Sequence, residues 1–271
     1  MRPAVVITLL GSLLTSLANA TAAEPPAGPS CKREPAKTAF THAIDPYSHR
    51  QWKEAIPPLE NAASLCPSPG GPWSIPSPTN PLVTMAYVPF FYLGNSYLGI
   101  QDFPTALRHF YLSTCVGESQ RHGDKLGELS TKTQTSRAQV PTKDRMQSQP
   151  RFSDGFSAAQ QQDWQRAADK MWEALLVWKE DGKSMNSYGR WRDPYLPRFR
   201  LADALFHLGC YREAAEQLDR SLAKDSPAAE VKAEREAFAR LRPECDRKIR
   251  EGYPDKEICQ RWRCLLQQPG T

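Results

Sequence analysis

Four times along this chain a Phe is followed twelve positions later by a bulky aromatic, and three residues after that by Ala. The sets are Phe40/Trp52/Ala55, Phe91/Phe103/Ala106, Phe152/Trp164/Ala167 and Phe199/Tyr211/Ala214. Only 10 of the 271 residues are Phe, so four matches in register point to repetition rather than coincidence. A fixed internal spacing recurring about every 50 residues is the mark of a repeat protein built from one supersecondary unit. A single unit cannot bury its apolar face alone, so the units must stack. Chains of that kind usually bind other molecules rather than catalyse.

The repetition has a second level. Trp164, Ala167, Met171 and Ala174 follow Trp52, Ala55, Leu59 and Ala62 at a constant offset of 112. Tyr195-Leu196-Pro197 follows Tyr87-Val88-Pro89 at 108, and Leu201, Leu205, Ala214 and Leu218 follow Leu93, Tyr97, Ala106 and Phe110 at the same 108. The chain therefore reads as a duplicated pair of units. Apolar residues spaced by three and four predict an amphipathic helix on each side of each turn aromatic. Asp102 and Asp163 precede those aromatics and read as helix N-caps.

These positions divide the chain as follows. Residues 1–20 read as a secretory signal: Arg2, an apolar stretch over 4–17, and the small-residue site Ala18-Asn19-Ala20. The apolar stretch is too short to span a bilayer, which takes about 20 residues. No Cys follows it directly, so lipid anchoring is not expected. Residues 21–35 form a flexible Pro/Ala-rich leader, 36–116 the first pair, 117–150 a polar linker without periodicity, 151–226 the second pair, and 227–271 capping helices. Pro46 disturbs the first helix of the first unit, and the Pro-rich segment 67–86 reads as an irregular insertion. Pro243 is expected to end a charged helix that begins beyond Pro227. A last helix presents Ile258, Trp262 and Leu265 on one side.

Seven Cys in an exported chain favour disulfides, and an odd number leaves at least one unpaired. The preferred pair is Cys31 with Cys66, tying the leader to the end of the first unit. Cys245, Cys259 and Cys264 form a second group, in which Cys259 and Cys264 lie about 140° apart on a helix and should not pair with each other. No paired C-x-x-C or nearby His supports a zinc site there. The formal net charge of +5 is spread over 35 basic and 30 acidic residues, a solvated surface rather than a nucleic-acid footprint.

Chemistry has little support in this sequence. The five His are scattered, and no phosphate-binding, dinucleotide-binding or nucleophile-elbow motif occurs. Cys210, near His207 at a predicted turn, reads as a buried or bonded Cys rather than a nucleophile. No enzyme activity, metal or cofactor is expected.

The second unit, Leu93-Gly94-x-x-Tyr97 followed by Ala106-x-x-x-Phe110, resembles the tetratricopeptide repeat at its diagnostic spacing. The fourth unit resembles it through Leu201, Ala202, Leu205, Ala214 and Leu218. The third does so through Gly155, Ala158, Ala167, Met171 and Ala174, and the first through its second helix only. The Tyr-x-Pro-x-Phe-x-Leu approach looks like a subset found in exported bacterial members. The resemblance implies an all-α fold: about four helix–turn–helix units in two pairs, stacked as an α-solenoid with a right-handed superhelix. It also implies that the first helices line a concave groove for a protein or peptide partner. Its polar carboxylate clamp is not carried over, because aromatic residues stand at those positions. The groove expected here is lined by Phe40, Phe91, Asn95, Phe152, Phe156, Phe199, Asp203, Phe206 and His207. Such a groove suits an amphipathic helix or an extended apolar peptide. The competing reading packs the Phe set beneath the insertions. The functions expected are an envelope adaptor that binds a protein partner, a self-assembling structural component that forms homo-oligomers, or an accessory in envelope polymer or lipoprotein handling.

Overall fold

The structure is a computed structural model, and it describes residues 31–67, 74–76, 84–118, 124–141, 145–178, 195–222, 236, 239–254 and 256–268. Residues 1–30, on which the expected signal and most of the expected leader fall, lie outside them. The described residues form eleven helices and one short β-ribbon. These are α1 (Arg33–Ser48), α2 (Trp52–Leu65), β1 (Ser74–Pro76), β2 (Thr84–Ala86), α3 (Pro89–Gly99) and α4 (Phe103–Cys115). Then come α5 (Asp124–Gln139), α6 (Arg145–Gln160), α7 (Trp164–Val177), α8 (Pro197–Leu208), α9 (Tyr211–Leu222), α10 (Leu241–Arg250) and α11 (Glu257–Leu266).

Four helical hairpins (α1/α2, α3/α4, α6/α7 and α8/α9) share one turn. Two residues before each turn aromatic the backbone goes left-handed: Arg50 at φ 59°, Gln101 at 64°, Gln162 at 60° and Gly209 at 85°. The next amide then reaches back five residues. Gln51 N donates to Pro46 O, Asp102 N to Tyr97 O and Asp163 N to Ala158 O, each at 2.9 Å, and Cys210 N donates to Leu205 O at 2.8 Å. That is the helix C-terminal bond that satisfies a carbonyl the helix would otherwise leave open. Three of the four turns place a non-Gly residue in this conformation, at roughly 1–2 kcal/mol each, so the hairpin packing must outweigh local strain.

The units pack in chain order: α1 on α2, α2 on α3, α3 on α4, then α6 on α7, α7 on α8 and α8 on α9. Between the pairs lies a correction to the sequence reading. Residues 124–139 are a helix, not a structureless linker, and α5 packs on α4 and α3 with Leu129 buried. Its stripe is so weak that periodicity missed it. Leu129 and Ser136 are buried on it instead, and the Nζ of Lys125 and Lys132 lie 5.7 and 6.0 Å from the centroid of Phe91. The second pair meets the first through α4 and α7.

Four further boundaries differ from expectation. The first helix begins at Arg33, inside the supposed leader, and continues through Pro46, which falls in its last turn and so disturbs only the end of the helix. The insertion carries an antiparallel ribbon, with Ile75 opposite Met85. Pro243 lies in the first turn of α10 instead of ending a helix, since an N-terminal turn has no carbonyl for its missing N–H to serve. Finally, α11 is no terminal cap; it folds back onto both α4 and α9.

The disulfides follow that geometry. Cys31 pairs with Cys66 as expected from sequence. Cys115 at the end of α4 pairs with Cys264, and Cys210 at the head of α9 pairs with Cys259. Cys245, Cys259 and Cys264 therefore share no bridge among themselves. Cys245 is the free thiol, buried, its pKa pushed up to about 11 by burial. Three disulfides fit an oxidising, exported environment. Among the described residues, no helix is long and apolar enough to cross a membrane.

Candidate functional site

The four recurring Phe do not line an open groove. Phe40, Phe91, Phe152 and Phe199 are all buried, at 0, 2, 8 and 0% exposure. In each half the first Phe packs on the Tyr of the Tyr-x-Pro approach. Phe40 and Tyr87 have ring centroids 5.0 Å apart, as do Phe152 and Tyr195. The Tyr hydroxyls then donate to carbonyls at the end of the preceding helix. Tyr87 reaches Ala62 O at 2.8 Å, and Tyr195 reaches Ala174 O and Trp178 O at 3.2 Å. The Phe set is thus core, holding one unit to the next.

Asn95, also expected at the groove, is buried. Phe156, Asp203 and Phe206 are half-buried and His207 is exposed. These four lie on α6 and α8 of the second pair. The guanidinium of Arg200 sits 5.0 Å from the Phe156 ring centroid. His207 stacks on Trp164 at 3.9 Å and lies 3.6 Å from the Asp203 carboxylate, whose pKa burial raises. The turn aromatics Trp52, Phe103, Trp164 and Tyr211 are half-buried, not fully enclosed. Asp163 accepts the Arg166 amide as an N-cap, whereas Asp102 takes the Thr105 hydroxyl at 2.8 Å and Arg151 of α6 at 2.6 Å.

The most concentrated polar chemistry lies where the halves meet, and the sequence reading passed over it. Arg108 of α4 donates from Nε to Glu173 Oε1 at 3.0 Å and pairs through Nη1 with Asp169 Oδ1 at 3.1 Å, both carboxylates on α7. Lys170 Nζ donates to the other Glu173 oxygen at 2.7 Å, and Glu173 is fully buried. Burial alone would lower the Arg108 pKa, but the two carboxylates hold it above its ordinary value. Burial raises Asp169 to about 6 against the pull of Arg108. Arg108 Nη2 also lies 3.2 Å from His109 Nε2. Arg can only donate, so this contact assigns His109 the neutral Nδ1–H tautomer. Burial first, and then the Arg108 charge, hold the His109 pKa well below 6.5. Its ring stacks on Tyr97 at 5.2 Å, and the Tyr97 hydroxyl donates to Glu60 at 2.7 Å.

Beside this network opens a cavity of about 440 Å³ between α2, α3, α4, α7 and α11. The sequence carried one usable signal for it. Arg108-His109 interrupts an otherwise apolar helix, and Asp169 and Glu173 stand one turn apart on another, the spacing that presents two carboxylates to one neighbour.

Another convergence occurs at Cys210, Cys259 and Glu213. The two sulfurs are bonded to each other, and Arg263 donates to the Glu213 carboxylate at 2.8 Å, so this group offers no thiolate ligand as it stands. Comparison with protein-family models and with curated proteins finds no match.

Proposed function

We propose that this chain is an exported, non-catalytic adaptor of the tetratricopeptide type, acting in the bacterial envelope. In this reading it takes an amphipathic helix of a protein partner on the α6/α8 face of its second pair. The observation that carries the reading is α5. On the first pair this helix lies across α3 and α4 and covers Phe91. By the repeat, Phe199 of α8 corresponds to Phe91 of α3 and Asp203 to Asn95, so α8, with α6 packed beside it, presents a related face. There Phe156, Phe206 and Asp203 remain half-exposed and His207 exposed. The counterpart of α8 on the first pair, α3, already packs against a helix, and α8 with α6 beside it is suited to accept one from elsewhere. Three disulfides fit the oxidising compartment that this role requires.

The test is co-purification from envelope extract with the unaltered protein and with a Phe156→Ala, Phe206→Ala double variant. The expected outcome is a protein recovered with the former and reduced at least tenfold with the latter, at unchanged circular dichroism. Equal recovery with both would overturn the reading.

A further inference from the structure

The junction cavity has walls of two kinds. Phe90 and Leu93 of α3, Leu112 of α4, and Trp262 and Leu265 of α11 supply apolar surface. Arg261 of α11 supplies a guanidinium. Its Nε is buried without a hydrogen-bond partner, and no carboxylate of the described residues lies within ion-pairing distance. Glu257 and Asp169 act on it only at longer range, and burial lowers its pKa. Arg stays charged at any ordinary pH, so the buried edge of this guanidinium has no ion-pair partner among the described residues. That arrangement is costly unless something anionic completes it.

Arg108 lines the same cavity, but Asp169 and Glu173 already satisfy it. The two arginines therefore have different roles: Arg108 ties α4 to α7, and Arg261 is left over.

We propose that the cavity binds a small amphiphile with a single carboxylate, its head paired to Arg261 and its apolar body lying among Phe90, Leu93, Leu112 and Trp262. The volume falls in the range of about 300–1,000 Å³ usual for small-molecule sites. A planar carboxylate fits the guanidinium fork in bidentate fashion. Glu60 and Asp169 line the same space and repel a phosphate dianion, which selects the lower charge. The site draws walls from both halves and from α11, so it exists only in the assembled molecule. It is independent of the α6/α8 face.

The test uses the full disulfide-bonded chain and dodecanoate below its micelle concentration, followed by calorimetry and tryptophan fluorescence, since Trp262 forms a wall. Dodecanol and dodecyl phosphate serve as probes of the head group. Dodecanoate is expected to bind saturably at one site, at least tenfold tighter than either probe. Arg261→Gln, a change at a half-buried position, is expected to remove that tenfold preference. Leu112→Trp, which fills the space, is expected to abolish binding. Absence of saturable dodecanoate binding overturns the proposal, as does undiminished preference in Arg261→Gln or tighter binding of the phosphate. If Leu112→Trp does not fold, Arg261→Gln alone decides. Co-purification of a partner that depends on Phe156 and Phe206 would stand whatever this titration gives.

Discussion

At the scale of residues, the Phe of each half's first helix and the Tyr of the Tyr-x-Pro approach work as one joint. The ring of Phe40 or Phe152 packs on the Tyr ring, and the Tyr hydroxyl satisfies carbonyls at the end of the intervening helix. An aromatic pair adds about 0.5–1.5 kcal/mol beyond its buried area, and the hydroxyl about 1 kcal/mol more. Gly94 serves another joint, the crossing of α3 and α4. A Cβ there would overlap the Phe110 ring. Gly94→Ala is therefore expected to destabilise the protein by about 1–3 kcal/mol despite the better helix propensity of Ala. Urea unfolding of the two proteins checks this, and an Ala variant of equal or greater stability would remove the crossing argument. Gly94 and Phe110 were legible in the sequence because a close crossing needs a small residue facing a large one. The cover of Phe91 by Lys125 and Lys132 was not, because those residues come from α5.

At the scale of elements, α11 decides more than its ten residues would imply. It is bonded to α4 through Cys115–Cys264, to α9 through Cys210–Cys259, and to α9 again through Arg263 and Glu213. The Cys115–Cys264 bridge spans 149 residues of sequence. On the chain-entropy account a loop that long is worth about 4–5 kcal/mol. A Cys115→Ser, Cys264→Ser variant is expected to lose several kcal/mol. It should also show faster amide exchange in α11 than in α3 or α8. Hydrogen-exchange mass spectrometry reads both; unchanged protection of α11 would mean that packing of Trp262 and Leu265, not the bridge, holds it. The amphipathic stripe of α11 was legible in the sequence. Which surface the stripe meets was not, since several of the described helices offer an apolar face and only the fold chooses between them.

At the scale of the whole molecule, the halves are held by α4 on α7, and Arg108 is the polar centre of that contact. Its removal leaves Asp169 and Glu173 inside with Lys170 as their remaining near cation. Arg108→Met is expected to cost about 3–5 kcal/mol at pH 8, the usual penalty for breaking a buried pair from one side. The pH dependence has a definite sign. The Asp169 pKa is raised to about 6 from an ordinary 3.8, so the folded state binds that proton more tightly than the unfolded state. The cost of its buried charge is present above pH 6 and is relieved as pH falls through 6 towards 4. The destabilisation by Arg108→Met should accordingly be smaller at pH 5 than at pH 8, as urea midpoints of variant and parent would record. An equal or larger effect at pH 5 would show that the charge of Asp169 is not what Arg108 offsets.

The sequence by itself determined the helical hairpins, their number and their duplication. Those features rest on residues near one another in the chain: a left-handed turn, an aromatic after it, and apolar side chains every three or four positions. The preferred Cys31–Cys66 pair was legible too, because its ends are brought together by a single hairpin. Only the tertiary structure decided that the recurring Phe are core, that residues 124–139 cover the first pair, and that α11 joins the halves around a cavity. Those outcomes depend on which of many similar apolar faces meet. Contact free energy between helices is nearly non-specific, and long-range bridges and a few buried charges settle the choice.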